Sequence, residues 1–233
     1  ADIVKRSKNY IAKIHYQKAA SAFQAFRSAP SVAGLDNVIA LFENSQAMGT
    51  QYSDSDISNR SRGVLAQLHY QKATMLFKRE DYEGANTELD AAIQINANYA
   101  KAYYQKGLVA KNLDAEVETI MSWFDRAISV GTQVNDNAVV RQATNSAHAE
   151  LLFRGSKAIE NNRLSNAVEL LQSSLTYDPE SADSYYRLAE ASNKLGKFND
   201  AIEYATTAVQ HEQGGATDKA KIYFELGFAQ QSK

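Results

Sequence analysis

The side chains best suited to metal binding or to proton transfer near neutral pH are four histidines, His15, His69, His148 and His211. No two of them stand one helical turn apart around a glutamate, the spacing that puts two imidazoles on one metal. His15 and His69 open the same phrase, HYQKA, at a position where other copies of the phrase carry Tyr or Leu. A place that accepts His, Tyr and Leu alike is a packing position. Asp114, Glu116 and Glu118 cluster in one connection and read as a solvated loop leading into a helix, where negative charge suits the helix dipole. Serines and threonines are plentiful but stand near no evident base, and no glycine-rich phosphate loop precedes a helix. Cysteine is absent, which excludes disulfides, thiol catalysis and thiolate metal sites within the chain and leans slightly towards an exported protein. The expectation is a protein without catalytic residues, cofactor or metal.

A different set of side chains recurs. The phrase HYQKA at His15–Ala19 and His69–Ala73 returns as YYQKG at Tyr103–Gly107 and, more weakly, as LLFRG at Leu151–Gly155, YYRLA at Tyr185–Ala189 and YFELG at Tyr223–Gly227. Each copy begins with bulky residues and closes on Gly or Ala. A second pattern follows most copies: Tyr82, Ala85, Leu89, Ala92 and Ile93; Leu164, Ala167, Leu171 and Leu175; Phe198, Ala201, Ala205 and Ala208. Steps of three and four residues draw one apolar stripe along a helix, and small residues in it let two helices approach closely.

Composition agrees. Lysine and arginine number 25 against 27 acidic residues, a net charge of -2, which lacks the basic stripe of a nucleic-acid binder. The basic run Lys5, Arg6, Lys8, Lys13, Lys18 reads as a solvated helix face. Prolines are two, Pro30 and Pro179, and no alternating β pattern is present. No apolar run is long enough to cross a membrane, and no signal segment is read in the charged start ADIVKRSKNY.

These spacings taken together resemble the tetratricopeptide repeat (TPR). Ala66–Tyr99 and Ala182–Gly215 fit at the repeat's length, with the closing proline met by Pro179 but replaced by Asn96-Ala97-Asn98 in the earlier copy. A larger duplication lies on top: a shift of 82 residues carries Phe42 onto Phe124, Gly49-Thr50-Gln51 onto Gly131-Thr132-Gln133, Asp54 onto Asp136 and Tyr103-Tyr104 onto Tyr185-Tyr186. About eleven helices are expected. First-type helices lie near 3–28, 56–80, 99–113, 137–161, 181–195 and 218–231, and second-type helices near 33–48, 82–95, 116–130, 164–176 and 198–211. The repeats would run over 3–48, 56–99, 100–131, 137–180 and 181–215 of a single solenoid, with 218–233 unpaired. Asp56 and Asp136 are expected as N-caps of the long first-type helices, and Gly49 and Gly131 as positive-φ residues ending the helices before them.

The resemblance implies an all-α, right-handed superhelix with first-type helices along a concave groove. The second residue of each phrase then faces the groove: Tyr16, Tyr70, Tyr104, Leu152, Tyr186 and Phe224. An aromatic ladder of this kind grips a peptide; the competing reading is that these rings close the core between repeats. Thr74, Lys78, Lys101, Asn112, Glu190 and Asn193 are polar candidates on the same face. Some members of the family clamp a partner's C-terminal carboxylate with Lys and Asn at set places. Here Tyr stands where the first Lys would be, and Ala20 and Thr74 replace the Asn, so no such clamp is expected. The functional expectation is a scaffold or adaptor holding a peptide or protein partner in the groove, without nucleic acid or membrane insertion. The alternative is an assembly protein that forms homo-oligomers through the C-terminal helix, where Tyr223, Phe224, Leu226 and Phe228 remain apolar, or through the long-helix ends.

Overall fold

The computed structural model describes residues 2–214 and 216–233, and of these the side chains of 2–9, 216 and 217 are left aside. The basic residues Lys5, Arg6 and Lys8 and the expected repeat end at Gly215 therefore lie outside the description. Eleven α-helices and no strand are found among the described residues. They are α1 (Asp2–Ser28), α2 (Val32–Gln51), α3 (Ser55–Phe77), α4 (Tyr82–Ile95), α5 (Ala100–Asn112), α6 (Val117–Gln133), α7 (Asn137–Glu160), α8 (Leu164–Ser174), α9 (Ala182–Lys194), α10 (Phe198–His211) and α11 (Ala216–Ser232). They gather into two compact units, Ala1–Val139 and Val140–Lys233.

Within each unit consecutive helices pack side by side, and one rule builds the core. Every second-type helix buries the same stripe at i, i+4 and i+7: Val38, Phe42 and Ser45 on α2; Ala85, Leu89 and Ala92 on α4; Ile120, Phe124 and Ala127 on α6; Ala167, Leu171 and Ser174 on α8; Ala201, Ala205 and Ala208 on α10. Each stripe meets the small residue that closes the phrase of the preceding first-type helix. At Gly107 a Cβ would lie 2.5 Å from the Phe124 ring, and at Gly155 2.7 Å from Leu171. Glycine at these points brings the two helix axes together.

The connections are as regular as the helices. Ser53, Glu80, Asp114, Asn135 and Asn162 take positive φ near 50–62°, and Gly196 takes 71°. Capping follows three of them: Asp54, Asp81 and Asp136 accept hydrogen bonds from the backbone N–H three residues on, at Ile57, Gly84 and Val139, and Ser181 caps α9 in the same way by accepting from Ser184.

Two local expectations are corrected. Gly49 and Gly131 do not end their helices by positive φ; both are buried inside α2 and α6, and the left-handed residues are Ser53 and Asn135. Gly49 is required by approach instead, since a Cβ there would lie 2.7 Å from the Ser58 amide nitrogen. Their carbonyls accept from Asp54 and Asp136 at 2.8 Å in both copies, so the duplication is repeated bond for bond. The N-cap of α3 is Asp54, not Asp56, which lies in the first turn.

Candidate functional site

In the first unit the aromatic candidates are half-buried and packed. Tyr16 meets Phe42 edge-on at 5.7 Å and carries the Arg60 guanidinium 4.6 Å above its ring. Tyr70 leans on Tyr99 at 5.2 Å. Burial raises the pKa of the Tyr70 phenol, and burial together with Tyr70 pushes Tyr99 up to about 12. Tyr104 lies against Phe124 at 6.0 Å. The Thr74 hydroxyl is 2.9 Å from the Tyr70 carbonyl oxygen and 3.1 Å from Gln105 Oε1. Lys78 and Lys101 are exposed, and exposed Asn112 donates from Nδ2 to the Leu108 carbonyl at 2.7 Å. Tyr16 and Tyr104 serve the packing of their own helix pairs and Tyr70 the packing of one pair on the next, each while half-buried.

Charge in this unit is used internally. Lys72 bridges Asp36 of α2 at 2.6 Å and Glu88 of α4 at 2.5 Å, and His69 Nδ1 lies 2.6 Å from the other oxygen of Glu88. His69 is thus tied to a carboxylate as well as packed. Burial opposes the charged forms, but the bonds from His69 and Lys72 outweigh it and hold Glu88 below the usual carboxylate range. Lys72 is held above the ordinary lysine value by Asp36 and Glu88 against the same cost of burial. Lys106, buried between α4 and α6, pairs with Asp90 and sits 4.4 Å from the Trp123 ring.

The second unit brings three candidates to one place. Leu152 packs into the α7–α9 core, and Tyr186 is half-buried with Arg187 5.0 Å over its ring. Burial raises the Tyr186 pKa. Glu190, Asn193 and Phe224, however, line a single cleft of about 220 Å³ between α9 and α11, together with Lys194, Glu225 and Phe228. Glu190 is held by Arg187 at 2.8 Å and Lys194 at 3.0 Å. Asn193 is buried and donates from Nδ2 to the Glu225 carbonyl at 2.9 Å and to Glu225 Oε2 at 2.7 Å. Two acceptors on one side fix the amide, and Asn193 Oδ1 is left with no hydrogen-bond donor. On the rim Phe224 is 68% and Phe228 47% exposed. A surface of exposed rings suits an apolar side chain.

Sequence reasoning did not place Lys194, Glu225 and Phe228 in this group. The signal was present, since Lys194 and Phe228 stand four residues beyond Glu190 and Phe224 on the same helix faces. Among the described residues no group of three or more His, Asp or Glu is placed to hold a metal ion, and no helix is long and apolar enough to cross a membrane.

Residues 158–226 match the family model described as tetratricopeptide repeat. No curated protein matches the sequence. Solved structures similar to the chain include MamA, at 14% identity over 73% of this chain and 87% of that chain with a TM-score of 0.45. The MamA RS-1 ArsTM double mutant is 16% identical over 72% and 93%, with a TM-score of 0.42. YrrB, described as a TPR protein with an unusual peptide-binding site, is 16% identical over 88% and 97%, with a TM-score of 0.41. At such scores the architecture rests on the chain's own helix pairs, and the matched segment runs from the end of α7 into α11, where the phrase and stripe of those pairs recur. Over residues 158–226 the chain matches the tetratricopeptide repeat.

Proposed function

We propose that the protein is a non-catalytic interaction scaffold that holds an extended segment of a partner against its first-type helices, with the α9–α11 cleft as the principal contact. Repeat proteins of this kind work through the surfaces their stacked helices present. The observation that carries the reading is the cleft itself: two exposed phenylalanines, Phe224 and Phe228, line it beside the charged groups of Glu190, Lys194 and Glu225. A bound segment would place an apolar side chain between the rings and cover their exposed faces. Leu152 and Tyr186 of the second unit are proposed as secondary contacts beside the cleft, and Tyr16, Tyr70 and Tyr104, with Thr74, Lys78, Lys101 and Asn112, as contacts the first unit makes by itself.

A peptide-display selection on the intact protein tests this. Selected peptides should bind Phe224→Ala about tenfold more weakly, while its thermal melt stays within a degree or so, because Phe224 is largely exposed. Peptides that bind the variant as well as the unchanged protein would move the contact out of the cleft. Amidation of a peptide's C-terminus should leave affinity unchanged, since the residues of a carboxylate clamp are missing.

A further inference from the structure

The seam between α9 and α11 holds a second pocket, of about 150 Å³, at the N-terminal ends of both helices. Asp183 and Arg187 line it from α9, Asp218 and Lys221 from α11, and Glu212 from the end of α10. Buried Ile222 completes it. Elements of this chain wall the pocket on every named side, so it is an interior concavity and not an outer helix flank. Its cations are already committed. Arg187 binds Glu190 at 2.8 Å and lies 5.0 Å over the Tyr186 ring, and Lys221 pairs with Asp218 at 3.2 Å. Two carboxylates remain. Among the described residues Asp183 makes no ion pair, and Glu212 accepts only from the Gly214 N–H. Concave walls concentrate such a field on whatever enters.

The pocket is continuous with the apolar cleft. Tyr186, which also lines it, feels Arg187 and Lys221 from the pocket and Glu190 and Glu225 from the cleft. We propose that the pocket is a second subsite for the partner segment and takes a cationic side chain, lysine or arginine, while an apolar residue of the same segment fills the cleft. The proposal rests on the cleft being the partner's contact. It deepens that reading by naming the partner's sequence. Tyr186 and Asn193 stand two helical turns apart on α9, about 10 Å along its axis. An extended chain covers that span in about three residues. The partner segment therefore carries one basic and one large apolar residue about three positions apart. Glu190, between the two subsites, is neutralised by Arg187 and Lys194 and leaves the choice of charge to the pocket.

The test uses the intact protein and fluorescent peptides of serine and glycine, acetylated and amidated, each with one Phe and one Lys. The Lys is moved stepwise along the chain, and control peptides carry Gln in its place. The protein variant combines Asp183→Asn with Glu212→Gln, which keep an acceptor oxygen at each position, and a thermal melt verifies its fold. The expected result is a preference of about fivefold for Lys over Gln at low salt, greatest about three residues from Phe. The preference shrinks as salt rises and disappears in the double variant. Lys and Gln peptides that bind equally, and are both weakened by Phe224→Ala, leave the cleft standing and overturn the subsite. A Lys preference that persists in the double variant, or is lost only with Glu225→Gln, also overturns it. A preference lost in the double variant but indifferent to Phe224→Ala leaves the cationic subsite standing and overturns the cleft. Absence of saturable binding by every peptide overturns both.

Discussion

Single residues in this chain carry two duties, and the tyrosines show how the two are weighed. Tyr70 packs beside Tyr99 in the α3–α5 core yet keeps part of its ring in solvent. Deleting a fully buried aromatic costs about 3–5 kcal/mol, so half-burial sets the expectation for Tyr70→Ala at about 2 kcal/mol, measurable by urea unfolding. A loss below about 0.5 kcal/mol would make the ring a surface group. The identity of these positions was legible because the phrase repeats; their depth was not. A bulky residue at helical spacing fits a groove or a core equally well, and only the ring at 5.2 Å decides that Tyr70 shares in packing. Asn193 was legible as a polar candidate, but its orphaned oxygen depends on Glu225, which lies 32 residues away in sequence.

At the scale of the helix, the network of Asp36, His69, Lys72 and Glu88 joins α2, α3 and α4. Its pH dependence has a definite sign. The folded pKa of Glu88 lies below its ordinary value of 4.5, so its contribution is complete above that value and is lost as pH falls through the lowered one. Lys72 lies above 10.5 when folded, so its contribution is complete below that value and is lost as pH rises through the raised one. Thermal melts of Glu88→Gln against the unchanged protein should differ above pH 4.5 and converge as pH falls through the lowered value. A difference that persists unchanged in strong acid, where every carboxylate is protonated, would remove the ionised carboxylate from the account. Helix positions were the most legible feature of all, since apolar periodicity and capping acids mark them directly. Helix ends were less so. Gly49 suggested a terminus by its type, but the backbone of α3 needs its missing side chain, and the turn falls to Ser53.

For the whole molecule, contacts in a repeat protein are made between neighbours, and disturbance should stay local. Leu89 and Leu188 belong to different clusters in different units. Leu89→Ala should cost about 2–5 kcal/mol of local stability. Hydrogen exchange should then quicken through α3–α5 and remain unchanged in α9 and α10; quickening throughout would show the chain to unfold as one cooperative body. The division into two units could not be read from the sequence, because the phrase and the stripe run through both. The joint that the two long first-type helices share has a last consequence. Ser53-Asp54 and Asn135-Asp136 have matching φ, the same cap and the same 2.8 Å bond back to a buried glycine. The segment 54–135 therefore starts and finishes on interchangeable couplings. A gene encoding such a protein can gain or shed that cassette in a single recombination without inventing a new connection.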